Sequence, residues 1–186
     1  VVAVSLKKKD VRRAFGVAGN TLLVGKLANR YHSWKGHDTF VDAARIVLGS
    51  RDDVVFAVVG ERTDDDRMKE LVRAAGVERS FVLAGYRDDV PSVLSAFDVS
   101  VNASRAGEGL SGAVRESMAA GRPVVATDVG GNREIVEDGV TGKLVPPGDP
   151  AALAAALLEV LEDPEAARRM GAAAADLVRS RFTVDH

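Results

Sequence analysis

The 186-residue chain contains no cysteine, which excludes disulfides, thiolate nucleophiles and most structural zinc sites. Its apolar runs all fall well short of a membrane span. Val1 to Leu6 is too short for a signal-peptide core and has no basic region before it. Excess charge of one sign is also lacking: 25 Lys and Arg face 27 Asp and Glu, a formal net charge of −2. Without a positive field the chain has nothing to recruit a nucleic-acid backbone, and nucleic acid is excluded as a partner. Histidine is scarce, and His32 and His37 show no metal-ligand spacing, so both read as surface polar residues beside a loop. G-x-G-x-x-G is missing after the first predicted strand, where only Gly25 stands, which removes a nicotinamide-dependent dehydrogenase.

What remains is a globular composition, 46% apolar and 28% charged, at a length that suits one domain with one core. Short runs of Val, Leu and Phe recur at Leu22 to Leu27, Val54 to Val59, Phe81 to Leu83, Asp98 to Val101 and Val124 to Ala126, with a sixth at Gly142 to Val145. They are apolar on both faces, as parallel strands covered by helices on both sides must be. Between them lie amphipathic stripes: Phe40, Val41, Ala44, Val47 and Leu48, then Met68, Leu71, Val72 and Ala75. Strand and helix alternate with short connections, which predicts an α/β doubly wound parallel sheet of about six strands. Asp149-Pro150 and Asp163-Pro164 each put an N-cap before a helix-starting proline, so two helices close the chain. Ala151 to Ala156 and Ala172 to Ala175 favour helix.

Ligands of such sheets sit at the carboxyl ends of the strands, in the loops that leave them. The loop after Leu27 carries Arg30 and Lys35, with Lys26 at its start, three flexible cations able to neutralise a diphosphate. The stretch from Ser104 to Glu116 leaves the fourth strand and enters a helix. Its glycines at 107, 109 and 112 let backbone approach a ligand, and the helix start offers free N–H groups to an anion. Glu108 lies in that loop and Glu116 about one turn inside the helix. Each carboxylate can accept two hydrogen bonds from a vicinal diol of a ribose or a sugar. Gly130-Gly131, after the fifth strand, permits another close approach. Glu134 beyond it reads as a helix-dipole partner. Gly85-Tyr86-Arg87 follows the third strand, where a base could lie.

Together these stretches resemble the retaining GT-B glycosyltransferases. The resemblance rests on Gly25-Lys26 with Lys35-Gly36, the two glutamates, Met118 to Val125, Gly130-Gly131 with Glu134, Glu137 to Gly142, and Pro146 to Asp149. It covers nearly the whole chain. It implies a Rossmann-like domain, the C-terminal half of a GT-B fold, that binds a nucleoside-diphosphate sugar without metal or cofactor. By position, Lys35, and Lys26 where the family usually has Arg, hold the donor diphosphate, assisted by the backbone of Gly109, Leu110, Ser111 and Gly112. Glu116 binds the ribose hydroxyls. Glu108 contacts the transferred sugar, so Glu108 and Lys35 are the expected catalytic residues. Tyr86 and Arg87 border the base. Two departures stand out: Gly109-Leu110-Ser111 replaces the common Gly-Phe-Gly, and the loop between Lys26 and Lys35 is long enough that Arg30 could take the role of Lys26. Asp64-Asp65-Asp66 matches the D-x-D of metal-dependent glycosyltransferases in letters, but it follows Thr63 at a helix start, where acids favour the dipole.

Residues 1–20 read as an interdomain connection and leading helix, with Lys7 to Lys9 a solvated helix start, and 21–186 as the donor-binding domain. The expected partners are a nucleotide-sugar donor and an N-terminal acceptor-binding domain outside this sequence, with the acceptor open and any membrane association confined to that other half. A cytoplasmic location is expected. The alternatives are a nucleotide-sugar epimerase of the same fold and a non-catalytic nucleotide-sugar-binding module. The segment from Arg181 to His186 is expected to begin a crossing to the other domain, and the chain alone to be inactive.

Overall fold

The computed structural model describes residues 7–181. The readings of residues 1–6 as a connection and of 182–186 as a crossing segment lie outside them. Six strands form one parallel sheet: β1 (Leu22–Leu27), β2 (Val54–Val59), β3 (Phe81–Leu83), β4 (Val99–Asn102), β5 (Val124–Thr127) and β6 (Gly142–Val145). The order across the sheet is β3-β2-β1-β4-β5-β6. This is the doubly wound α/β arrangement that the alternation predicts. Five of the six predicted strands begin where expected. The exception, β4, starts at Val99, with Asp98 just before it tied to β1: its amide donates to the Leu23 carbonyl at 2.8 Å, and its carboxylate accepts from the Leu23 amide at 2.8 Å and from Arg12 at 2.9 Å.

Helices cover both faces. On one, α2 (His37–Leu48), α3 (Asp66–Ala74) and α7 (Pro150–Glu162) pack on the sheet through Phe40, Val47, Met68 and Leu157, all fully or almost fully buried. Phe40, Phe56 and Phe81 form an aromatic cluster there, with ring centroids 5.6 to 5.8 Å apart. On the other face lie α1 (Lys8–Ala14), α4 (Val90–Ala96), α5 (Gly112–Ala119), the short α6 (Asn132–Ile135) and α8 (Pro164–Arg181). The predicted N-caps of the last two helices are formed: Asp149 accepts from the Ala152 amide, and Asp163 from the amides of Glu165 and Ala166. Asp65 caps α3 in the same way. The helix starts at Asp66, the last of the three acids, and Thr63 is buried, donating to the Gly60 carbonyl at 2.8 Å.

Within the segment read as connection and leading helix, residues 8–17 pack on the sheet, with α1 as the helix. Val11, Phe15 and Val17 share a core with Leu23, Val59 and Leu94, and Arg12 fastens the helix by donating to Asp98 and to the carbonyls of Ala96 and Thr21.

Gly25, at the centre of the sheet, is where Phe97 comes closest to the backbone: a Cβ there would overlap the phenyl ring. Gly25→Ala is therefore expected to destabilise the fold by about 1–3 kcal/mol through overpacking. Gly109→Ala, in open space, is expected to stay within about 0.5 kcal/mol of the parent. Urea unfolding of the two variants checks this, and equal losses would overturn it.

Candidate functional site

The strand order reverses between β1 and β4, which are direct neighbours. The loop leaving β1 runs to α2 on one face and the loop leaving β4 to α5 on the other, so a crevice opens between them at the carboxyl edge. A cavity of about 270 Å³ lies there. Its lining includes Lys35, Asn102, Glu108, Ser111, Gly112 and Glu116. The structure thus brings five of the sequence-selected residues to one place.

Lys35 and Glu108 join the two loops across the crevice. The Lys35 ammonium donates to Glu108 Oε1 at 2.8 Å, and Ser104 Oγ donates to the same oxygen. Burial opposes ionisation of Glu108, but the bonds from Lys35 and Ser104 outweigh it and hold the carboxyl below its usual range. Trp34 supports both partners. The Lys35 ammonium lies 4.3 Å from the indole centroid, and the indole packs against Gly107, whose φ of 72° requires glycine. The Arg105 amide donates to the Trp34 carbonyl at 2.7 Å.

The start of α5 is open. Ser111 precedes it but makes no side-chain cap; its hydroxyl accepts from Asn102 Nδ2 at 3.2 Å. The first N–H groups of the helix are left for an anion. Gly109 has nothing within 4 Å of a built Cβ, and Gly112 has only the Glu116 carboxylate at 3.9 Å, so the backbone there is accessible. Glu116 is exposed on the rim. Leu110, also exposed, leans over Gly131.

Other expected contributors stand elsewhere. Lys26 is no flexible surface cation: it lies within β1, 1% exposed, and no hydrogen bond holds it among the described residues. Burial first, and the Lys35 charge second, lower its pKa from 10.5 to about 7, against the opposing pull of Glu108 and Asp38. Arg30 points away from the crevice, pairs with Asp65 and lines a different cavity, so it does not substitute for Lys26. Tyr86 is exposed outside the cavity wall, and Arg87 is held by Asp89 at 2.7 Å. His37 is not surface sequence. It is 5% exposed, its Nε2 lies 3.3 Å from the Ala28 carbonyl, and burial, reinforced by Lys26, lowers its pKa to about 3.

Gly130-Gly131 lies against protein backbone. A Cβ at 130 would overlap the Glu108 carbonyl, and the Gly131 amide donates to the Gly109 carbonyl at 3.2 Å. These glycines let the β5 loop brace the one bearing Glu108. Sequence reasoning missed Asn102, which lines the cavity and whose Oδ1 accepts from the Ser104 amide at 3.1 Å. The available signal was a lone amide ending an apolar strand.

Residues 19–163 match the family model described as glycosyl transferases group 1. The chain belongs to that family. It is 39% identical over 176 residues to the 2-deoxystreptamine N-acetyl-D-glucosaminyltransferase of Streptomyces fradiae, covering 93% of this chain and 42% of the relative. It is 36% identical over 147 residues to a phosphatidyl-myo-inositol mannosyltransferase of Mycobacterium leprae, covering 78% and 38%. The chain thus spans less than half the length of these relatives. The Anabaena protein HepE, crystallised with UDP and glucose, superposes with a TM-score of 0.85 at 30% identity, over 94% of this chain and 48% of that one. A structure of the C-terminal domain of a group 1 glycosyl transferase, LpcC of Francisella tularensis, matches over 99% of this chain and 95% of its own, with a TM-score of 0.79 at 26% identity. The group 1 domain described here is therefore the Rossmann-like C-terminal half of a GT-B fold.

Lys26 makes the stability of this domain depend on pH with a definite sign. Its folded pKa, about 7, lies below the ordinary 10.5, so between those values the unfolded chain holds a proton that the folded chain has lost. Stability from this group therefore rises with pH across that window. In Lys26→Met, which fills the same space without a charge, that rise is expected to vanish. Urea unfolding at pH 6.5 and 9 checks it: the stability difference between parent and variant should shift in favour of the parent at the higher pH, and parallel behaviour would overturn the assignment.

Proposed function

We propose that this domain binds the nucleoside-diphosphate-sugar donor of a glycosyltransferase in the crevice between β1 and β4. The observation that carries the reading is the single cavity lined by Lys35, Glu108, Ser111, Gly112 and Glu116, in which a cation, an uncapped helix start and two carboxylates face one space. The diphosphate lies against Lys35 and the first N–H groups of α5, with the backbone of Gly109, Leu110 and Ser111 beside it. Lys26 contributes its charge from beneath, since an anion in the cavity favours the ammonium form. Glu116, on the rim, accepts the ribose hydroxyls, and Glu108 receives the hydroxyls of the transferred sugar. Tyr86 and Arg87, at the end of β3, border the base. The UDP and glucose held by HepE, whose fold this chain shares, support a nucleotide-sugar as the ligand class.

Transfer with retention of configuration follows the family resemblance, with leaving phosphate and attacking hydroxyl on one side of the sugar. In that step Lys35 and the helix start stabilise the charge that develops on the departing diphosphate. Lys35 is shared with Glu108 before the donor arrives, so the pair also sets the sugar-binding carboxylate next to the phosphate. No metal is required by this arrangement. The acceptor is held by residues outside this sequence, consistent with relatives about twice as long. A shared location with water-soluble nucleotide-sugars, the cytoplasm, goes with this reading.

Calorimetric titration with UDP, GDP and ADP tests the donor site. Binding of at least one is expected, and no binding of any by the folded protein would sink the reading. Lys35→Ala removes a charge-assisted contact of roughly 1.5–3 kcal/mol. Glu116→Ala should weaken nucleoside diphosphate and nucleotide-sugar alike. Glu108→Ala should weaken only the nucleotide-sugar, because losing Glu108 leaves the Lys35 ammonium free for phosphate. Equal losses for both ligands from both glutamate variants would refute the division of roles.

A further inference from the structure

On the other side of the loop from 28 to 36 lies a second, larger cavity of about 430 Å³. It opens between that loop, α2 and α3, on the face of the sheet away from α5. Lys35 lines the crevice cavity, whereas Arg30, Tyr31 and His32 of the same loop line this one, together with Arg62 and Arg67. The two spaces are separate, and the donor reading makes no use of the second.

Its charge is unbalanced. Asp38, the one carboxylate in the wall, is paired with Arg105 at 2.6 Å. Asp65, behind the wall, is paired with Arg30. Arg62 and Arg67 have no carboxylate partner among the described residues. His37 stays neutral there, with its pKa at about 3. The two cations are thus left facing one space, beside the amino-terminal ends of α2 and α3, whose first turns carry Asp38 and Asp66.

Arg62 is also held in an unusual way. Its φ of 61° is the only positive value on a non-glycine residue among the described residues, a conformation that side chains other than Asn and Asp seldom adopt. Its carbonyl accepts from Arg30 Nε at 3.0 Å, and its guanidinium lies 5.1 Å from the Tyr31 ring centroid. The ring thus sets this exposed guanidinium beside the cavity, although no carboxylate attracts it. Fixed planar guanidinia with free N–H forks match phosphate oxygens.

We propose that this cavity is a second anion site, distinct from the donor crevice, that takes a phosphate-bearing group through Arg62 and Arg67. Because one loop forms a wall of both cavities, an occupant here also bears on the segment that carries Lys35.

The test is titration of the protein with inorganic phosphate, followed through its assigned backbone amide resonances. Shifts at Arg62, Arg67 and Tyr31 are expected. In the double variant Arg62→Asn, Arg67→Gln the half-saturating concentration should rise roughly tenfold or more, since each lost contact is charge-assisted. Asn tolerates the left-handed backbone, and an unchanged unfolding midpoint establishes that the variant is folded. Lys35→Ala should leave these shifts intact. Shifts confined to Gly112 to Glu116, or affinity indifferent to the double variant, would overturn the proposal. Co-sedimentation with phosphatidylcholine vesicles containing phosphatidylinositol 4-phosphate separates the sources. Arginine-dependent pelleting assigns the phosphate to a lipid headgroup, and amide shifts without pelleting assign it to a soluble ligand. Neither response overturns the site.

Discussion

The reversal of strand order between β1 and β4 is the constraint on which the rest of the structure depends. A parallel strand must return the chain through a crossover, and crossovers keep one hand. Strands added on the two sides of β1 therefore send their helices to opposite faces. At the reversal no helix covers the carboxyl edge, and two loops face each other across a gap. The ion pair of Lys35 with Glu108 spans that gap at 2.8 Å, with Trp34 packed beneath the cation and against Gly107. Removing either partner would leave the other charge half-buried and alone, which is costlier than the pair itself. The pair organises the unliganded crevice.

Lys26 follows from the same geometry. Position 26 lies near the carboxyl end of β1, where its side chain is buried and feels the charges of Lys35, Glu108 and Asp38. An ammonium there meets desolvation by burial and repulsion from Lys35, and only Glu108 and Asp38 offset them. His37, close by, is pushed to the neutral form by its own burial and by Lys26. Near neutral pH Lys26 is therefore divided between its charged and neutral forms, and His37 is neutral. An added anion is the change that shifts this balance, which links the buried lysine to the chemistry of the open cavity above it.

The strands were legible because a parallel strand buried on both faces reads as an unbroken apolar run, as in Val54 to Val59. Helix starts at Asp149-Pro150 and Asp163-Pro164 were legible because capping is a local property of a few residues. Lys35, Glu108 and Glu116 were placed by the order of motifs along the chain. The contacts between loops were not legible. Nothing local tells that Arg30 turns to Asp65, that His37 is enclosed, or that Arg12 reaches Asp98 from a helix 86 positions away. Those outcomes depend on which loops become neighbours, and strand order decides that only after the chain has folded.

Glycine shows the same distinction at the site itself. Gly130 and Gly131 read as ligand-approach positions in sequence, yet both abut protein backbone, as Gly36 does: Gly36 the Ala103 carbonyl, Gly130 that of Glu108, and Gly131 that of Gly109. They are small so that three loops can lie against one another. A Cβ at Gly109 would meet nothing within 4 Å, and one at Gly112, in the crevice wall, only the Glu116 carboxylate. The first group fixes the walls, because a side chain at any of those positions would force the loops apart. The second keeps the α5 amino terminus bare, because a side chain there would stand where an anion approaches the free N–H groups. A sequence counts both kinds as glycine in a loop. Only the surrounding atoms separate the glycines that close the structure from those that leave it open.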